Sequence, residues 1–235
     1  MKNKIKTLSI VIPVYNEKNT IESIIEKVKK AKIGKLKKQI IVVDDCSTDG
    51  TREILKKIQK RDKNITVIYK EKNEGKGAAV RTAINYLKGE ITVIQDADLE
   101  YDPNDFIKLL GPILDGRAEV TYGSRFLGIH RAFLFWNYVA NKILNFFVNL
   151  LYNSFLTDME TCYKMMKTEI LKSIKLKSKG FDFEPEITAK ILKRKYKIYE
   201  VPINFFGRSY EEGKKIKAKD GFIALYKIFW YRFFD

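Results

Sequence analysis

The chain has 235 residues, 45% of them hydrophobic and 31% charged, which fits one globular domain with a full core and excludes a disordered chain. Lys and Arg outnumber Asp and Glu by 45 to 29, and the net charge of +16 points to an anionic partner: nucleic acid, anionic lipid or a phosphorylated substrate. The two cysteines, Cys46 and Cys162, lie too far apart for a metal-binding spacing and indicate a reducing compartment, while a single histidine, His130, rules out His clusters and argues against a Ser-His-Asp triad. The opening MKNKIKTLSIVIP holds no signal-peptide core before Pro13, so a cytoplasmic protein is expected.

In chain order, residues 8–12 predict a first strand closed by Pro13, and Pro13-Val14-Tyr15-Asn16-Glu17 follows as a loop. Asn19 or Thr20 is placed to cap a helix over residues 21–32, apolar at Ile21, Ile24, Ile25 and Val28. The lysines between Lys27 and Lys38 read as a solvated face. Residues 39–43 form an unbroken apolar run, typical of a parallel strand covered on both faces. It leads into Asp44-Asp45-Cys46-Ser47-Thr48-Asp49-Gly50, where Ser47, Thr48 or Asp49 caps a helix over residues 51–60. Residues 65–69 predict a third strand, and Asn73-Glu74-Gly75-Lys76-Gly77 opens a helix over residues 78–87. Residues 91–94 predict a fourth strand, Pro103 opens a helix over residues 104–114, and a further strand at 119–123 delivers Arg125.

Strands alternating with amphipathic helices predict an α/β fold: a mostly parallel sheet with helices on both faces, in one domain spanning 1–235. Ligands of such sheets bind beyond the carboxyl ends of the strands. The loops at Tyr15, Asp44–Asp45, Gly75–Lys76 and Asp96–Asp98 all follow strands, so they converge on one rim. Asp96-Ala97-Asp98 puts two mutually repelling carboxylates there, with Glu100 as a third acid. A hard divalent ion, Mg2+ or Mn2+, suits such a pair together with a substrate's phosphates. Taken alone, the motif equally fits a solvated acidic turn capping the helix near Pro103. The Gly-x-Gly-x-x-Gly fingerprint is missing after the first strand and no Gly-x4-Gly-Lys-Ser/Thr loop occurs, which speaks against NAD enzymes and P-loop ATPases.

Residues 132–156 are apolar but carry Asn137, Asn141, Asn145, Asn149 and Asn153 at four-residue intervals, with Lys142 between them. Each step advances a helix about 40° beyond a full turn, so the asparagines form a polar stripe. A helix lying on a membrane surface is expected in preference to a span. Residues 220–235 repeat the theme, with Phe222, Leu225, Tyr226, Phe229, Trp230 and Phe233 at helical spacing, and Lys214, Lys215, Lys217 and Lys219 placed to meet anionic lipid. Core packing is the alternative for both helices.

VIPVYNE, VVDDCSTDGT, NEGKGAAVRTA and QDADLEYDP resemble the family-2 glycosyltransferases of the GT-A fold, and within them the polyprenyl-phosphate hexose synthases. The resemblance continues in order through YGSRF, LTDMETCYKMMK, FDFEPEITAKI and GRSYEEGKKI and spans nearly the whole chain. It implies that Pro13, Tyr15 and Glu17 hold a nucleotide sugar, that Asp44 and Asp45 read base and ribose, and that Lys76 and Arg81 lie near the donor phosphates or support their loop. It implies that Asp96, Ala97 and Asp98 form the donor and metal site, with Glu100 a ligand or its support. Arg125, Arg131 and Arg208 are the arginines expected to bind an acceptor phosphate, a role suited to the guanidinium fork. Asp158 and Glu160 are read as sugar- or site-orienting groups or a base. Glu100 stands where several mannosyl members carry Gln or Ser, so the resemblance leaves the hexose open between mannose and glucose, and the nucleotide between GDP and UDP.

The expected activity is metal-dependent, inverting transfer of a hexose to a polyprenyl phosphate by a protein bound peripherally at the cytoplasmic membrane face. One alternative keeps the donor but uses a sugar hydroxyl as acceptor in cell-surface polysaccharide synthesis, with Asp158 as base. Another is a non-catalytic basic module binding membrane or nucleic acid. The acidic rim opposes nucleic acid, because carboxylates repel a phosphate backbone.

Overall fold

A computed structural model describes residues 5–132, 134–209, 211, 215 and 218–235. Four parallel strands come from the first half of the chain: β1 (Thr7–Val14), β2 (Lys37–Asp44), β3 (Ile65–Tyr69) and β4 (Ile91–Ile94). Helices α1 (Ile21–Lys30), α2 (Thr51–Arg61) and α3 (Lys76–Ile84) connect them. A 3-10 turn at Pro103–Asp105 leads into α4 (Phe106–Leu114), and β5 (Val120–Ser124) follows. The rest comprises α5 (Phe135–Tyr152), β6 (Lys164–Lys167), α6 (Thr168–Ser173), α7 (Phe183–Lys193), β7 (Ile198–Pro202) and α8 (Ala218–Phe233).

The seven strands form one sheet in the order β3-β2-β1-β4-β6-β5-β7. Only β6 is antiparallel to its neighbours, pairing Met165 with Val93 on one side and with Thr121 on the other. The mixed, mostly parallel sheet expected from the sequence is therefore present. Its position explains the site. The carboxyl ends of β1, β2, β4, β5 and β7 share one rim, and the reversed β6 brings its amino end, with the preceding loop 154–163, to the same rim. The apolar alternation of the central strands is buried on both faces: Leu8, Ile10, Val11, Ile12, Ile41, Val42, Val43, Ile91 and Val93 are all fully inaccessible.

Pro13 lies inside β1 instead of closing it. Val11 accepts a backbone hydrogen bond from Gln95 at 2.9 Å, on the β4 side, and Pro13 faces that same side one step further on. There β4 has already ended at Ile94, so no ladder bond is lost for want of an N–H. Of the side chains expected at the helix starts, Asp49 meets α2 and Thr20 leaves α1 uncapped. The Thr20 hydroxyl donates to Glu17 at 2.8 Å and does not cap α1, while Asp49 accepts from the Thr51 N–H and hydroxyl at the start of α2.

Helix α5 adds what periodicity left open, namely which way each of its faces points. Its asparagine stripe faces the protein, and its outer face is apolar: Trp136 is 76% exposed, Phe146 60% and Leu150 63%. The adjoining α8 exposes Phe222, Tyr226 and Phe233. Among the described residues no helix is long and apolar enough to cross a membrane.

Candidate active site

The rim encloses a cleft of about 390 Å3. Of the residues singled out in the sequence, Pro13, Tyr15, Glu17, Asp45, Lys76, Asp96, Ala97, Asp98, Glu100, Arg125, Glu160 and Arg208 line it. The β1, β2 and β4 ends supply one wall. Asp45 is almost wholly buried and accepts from the Glu74 and Gly75 amides, at 2.6 Å for Gly75, and from the Lys70 ammonium, also at 2.6 Å. It thereby fixes the glycine loop. Gly75 has φ 93°, and a Cβ there would lie 2.6 Å from the Lys179 carbonyl oxygen, so the loop needs glycine for both conformation and close approach.

The acidic end of the cleft is linked by cations. The Lys76 ammonium lies 2.8 Å from Asp96 and 3.0 Å from Glu184. Burial works against its charge, but Asp96, Cys162 and Glu184 hold its pKa well above the ordinary lysine value. Arg208 donates to Glu17 at 3.2 Å, lies 3.3 Å from Asp98 and gives its backbone N–H to Glu100 at 2.7 Å. Burial, Asp96 and Glu100 push the Asp98 carboxyl up to about 7, against the pull of Arg208. Glu17 goes the other way: burial raises it, but Lys215, Thr20 and Arg208 together hold it below the ordinary range.

On the opposite wall Asp158 grips Arg125. The carboxylate is fully buried and accepts from Arg125 N at 2.9 Å, Nε at 2.8 Å and Nη2 at 2.7 Å. The guanidinium also stacks over Phe205, 5.2 Å from the ring centroid. Asp158 therefore holds Arg125 in place and is not among the residues lining the cleft. Glu160 does line it. Its Oε1 is buried with no hydrogen-bond partner among the described residues, and burial together with Glu184 pushes its carboxyl up to about 7, against Lys164 and Arg125.

Three further residues lie away from the cleft. Asp44 is fully buried, 2.5 Å from Arg52 Nε, and accepts from the Ser47 amide, so it holds the turn into α2. Arg81 donates to the Lys177 carbonyl at 2.6 Å on the far side of α3. Arg131 lines a smaller pocket with Phe205, Gly207 and Arg208, next to the main cleft.

Sequence reasoning missed Glu184, which joins Lys76 to the fully buried Lys164, 2.5 Å away. Its signal was an acid at the start of an apolar helix, which reads as a surface residue. Cys162 is buried and lines the cleft beside Asp96. Lys215, read as lipid-facing, reaches Glu17 at 2.7 Å and the Tyr15 carbonyl at 2.5 Å. Lys214 and Lys217 lie outside the described residues, and Lys219 is exposed.

The donor chemistry fits a divalent ion. Asp96 and Asp98 offer hard oxygen donors, and the Asp98 carboxyl, raised first by burial and then by the neighbouring Asp96 and Glu100, is one whose charge a cation would stabilise. No group of three or more potential ligands forms a ready cage among the described residues. Mg2+ and Mn2+ sites of one or two carboxylates completed by substrate phosphates need none.

Residues 9–175 match the family model Glycosyl transferase family 2. The chain is 30% identical over 227 residues to a dolichol-phosphate mannosyltransferase of Pyrococcus furiosus, a match covering 94% of this chain and 62% of that protein. It is 29% identical over 201 residues to the glycosyltransferase AglJ of Haloferax volcanii, covering 85% of this chain and 63% of the relative. The chain thus spans somewhat under two thirds of the length of these two relatives. Among solved structures it resembles the glucosyl-3-phosphoglycerate synthase of Mycobacterium tuberculosis in complex with Mn2+, UDP and phosphoglyceric acid. The TM-score is 0.72 at 20% identity, covering 96% of this chain and 77% of that one. With the mixed sheet and the rim cleft on its carboxyl edge, these matches identify the chain as a member of glycosyltransferase family 2 with the GT-A fold.

Proposed function

We propose that this transferase moves a hexose, mannose or glucose, from a GDP- or UDP-sugar to a polyprenyl phosphate, with inversion, at the cytoplasmic face of a membrane. The nucleotide lies along the wall built by Tyr15, Glu17, Asp45 and the Gly75 loop. Asp96 and Asp98 would hold Mg2+ or Mn2+, and the bound ion would supply Lewis-acid stabilisation of the leaving nucleotide. Glu100 and Arg208 support that end of the site. Arg125 draws the acceptor phosphate to the opposite wall. An ionised phosphate oxygen attacks the anomeric carbon, forming the new C–O bond as the bond to the nucleoside diphosphate breaks and its electron pair leaves with the diphosphate. The observation carrying this reading is the Asp158–Arg125 fork. A carboxylate committed to three donors is poorly placed to take a proton, whereas a phosphate acceptor, already ionised at neutral pH, needs no strong base.

The similarity to a dolichol-phosphate mannosyltransferase supports the acceptor class. The exposed aromatic faces of α5 and α8 support a peripheral seat on lipid, where the acceptor's tail resides. The test offers labelled GDP- and UDP-hexoses with polyprenyl phosphate and follows label into the organic phase. One donor should transfer label in the presence of Mg2+ or Mn2+. Label that stays in the aqueous phase for every donor would overturn the acceptor assignment.

Glu160 favours a second reading, in which the acceptor is a sugar hydroxyl. A carboxyl near pKa 7 with an unpartnered oxygen in the cleft has the properties of a general base, and on that reading Glu160 takes the role first expected of Asp158.

A further inference from the structure

The inward-facing asparagines of α5 have a task that helix packing alone does not explain. Loop 154–160 carries both Asp158 and Glu160, yet it pairs with no strand. Four consecutive amides in it are satisfied by side chains. The Leu156 N–H donates to Asn149 at 2.7 Å, those of Thr157 and Asp158 donate to Glu200 at 2.8 and 3.1 Å, and that of Met159 donates to Asn145 at 2.7 Å. The asparagines also serve the carbonyls: Asn149 Nδ2 donates to Leu156 O and Asn145 Nδ2 to Thr157 O, each at 2.8 Å. One step earlier, Asn141 accepts from Arg125 Nη2 at 3.3 Å, and its own amide is oriented by donating to the Asn137 carbonyl at 2.7 Å.

A side-chain amide presents one donor and one acceptor group, as a peptide does, so asparagine can replace the missing strand partner where leucine cannot. The four-residue spacing sets such an amide at successive turns along the loop. We propose that this asparagine ladder, with Asn145 at its centre, is a positioning device. It sets the loop so that Asp158 forks Arg125 while Glu160 faces the cleft. The inference rests on the transferase reading of the cleft but not on the identity of the acceptor.

The test compares Asn145→Leu, which keeps the branched shape and removes both bonds, with Val148→Ala, a buried change on the same helix outside the ladder. Three quantities are read on the full chain: hydrolysis of the nucleotide sugar without acceptor, affinity for UDP and GDP, and hydrogen exchange of peptide 154–160. Asn145→Leu should slow hydrolysis at least about tenfold, since small misplacements of reacting groups are costly. It should speed exchange in that peptide and leave nucleotide affinity within about twofold, because the nucleotide wall is built from β1, β2 and β4. Val148→Ala should leave hydrolysis within about twofold at a temperature where both variants are folded. Asn145→Asp keeps the acceptor for Met159 and should fall between, which also serves if Asn145→Leu does not fold. Unchanged hydrolysis in Asn145→Leu, a loss matched by Val148→Ala, or a parallel loss of nucleotide affinity would overturn the proposal. If the wild-type protein neither hydrolyses a donor nor binds UDP or GDP, the transferase reading has failed. Exchange then decides the ladder alone, and unaltered protection of 154–160 in Asn145→Leu rejects it.

Discussion

Asp158→Asn separates a base from a brace. The buried carboxylate receives three hydrogen bonds from Arg125, at 2.7 to 2.9 Å, and supplies the countercharge of a guanidinium that is only 11% exposed. An asparagine amide retains one acceptor oxygen and turns an NH2 group toward a cation that cannot accept. At least one charge-assisted bond is lost, and the guanidinium keeps its charge without a partner of opposite sign. Breaking a buried pair from one side costs about 3–5 kcal/mol. Because Arg125 borders the cleft and water can reach it there, the lower figure applies, about 3 kcal/mol. At about 2–4 °C per kcal/mol for a chain of this size, the melting temperature should drop by about 6–12 °C. The double variant Asp158→Leu with Arg125→Met removes both charges and should lose less than Asp158→Asn alone. Calorimetry on the three proteins at pH 7.5 gives the comparison, with transfer kinetics run alongside. An Asp158→Asn protein that melts within about 2 °C of wild type while losing all activity would refute the brace and return Asp158 to the role of base.

Removing divalent ions with EDTA should abolish transfer, Mg2+ or Mn2+ should restore it, and Asp98→Ala should not be rescued; full activity of the stripped enzyme would remove the metal from the account. Glu160→Gln should raise the melting temperature at pH 8 and change it little at pH 5. The wild-type carboxyl, pushed up to about 7, is destabilising when ionised, so its penalty is complete above pH 7 and disappears as pH falls toward the unfolded value near 4; equal effects at both pH values would contradict the environment described for it. Arg125→Ala should lower acceptor kcat/KM far more than donor binding, with Arg125→Lys between, because lysine keeps the charge and loses the fork. Trp136→Glu combined with Phe222→Glu should abolish sedimentation with anionic vesicles at unchanged stability, both side chains being over 70% exposed; undiminished sedimentation would remove α5 and α8 from the lipid contact.

The first half of the fold was legible because each strand there is a short apolar run and each helix repeats its apolar positions. The second half was less so. Strand β6 is four residues, KMMK, and its buried Lys164 is held by Glu184 and the carbonyls of Met159 and Thr161, partners that no local pattern announces. The cleft acids were legible from Asp96-Ala97-Asp98, whereas Glu184 and Lys215 come from distant segments that only the folded chain brings there. Asp44 and Asp45 show the limit of motif reading: adjacent carboxylates point opposite ways along a strand end, one into the Arg52 turn and one to the cleft. The asparagine stripe was legible as one face of a helix, but what that face meets was not. Periodicity gives a face without saying what meets it, and here a polar face is buried because its partner is bare backbone.

The central claim concerns the bond that is made. Wild-type protein, Mn2+, a 13C-labelled hexose donor selected by the organic-phase assay and polyprenyl phosphate should yield a lipid product in which 31P and 13C NMR show the anomeric carbon bonded to a phosphate oxygen. Its configuration should be opposite to that of the donor. A labelled glycoside with no carbon–phosphorus coupling, or a phosphate-linked hexose that retains the donor configuration, would contradict the account.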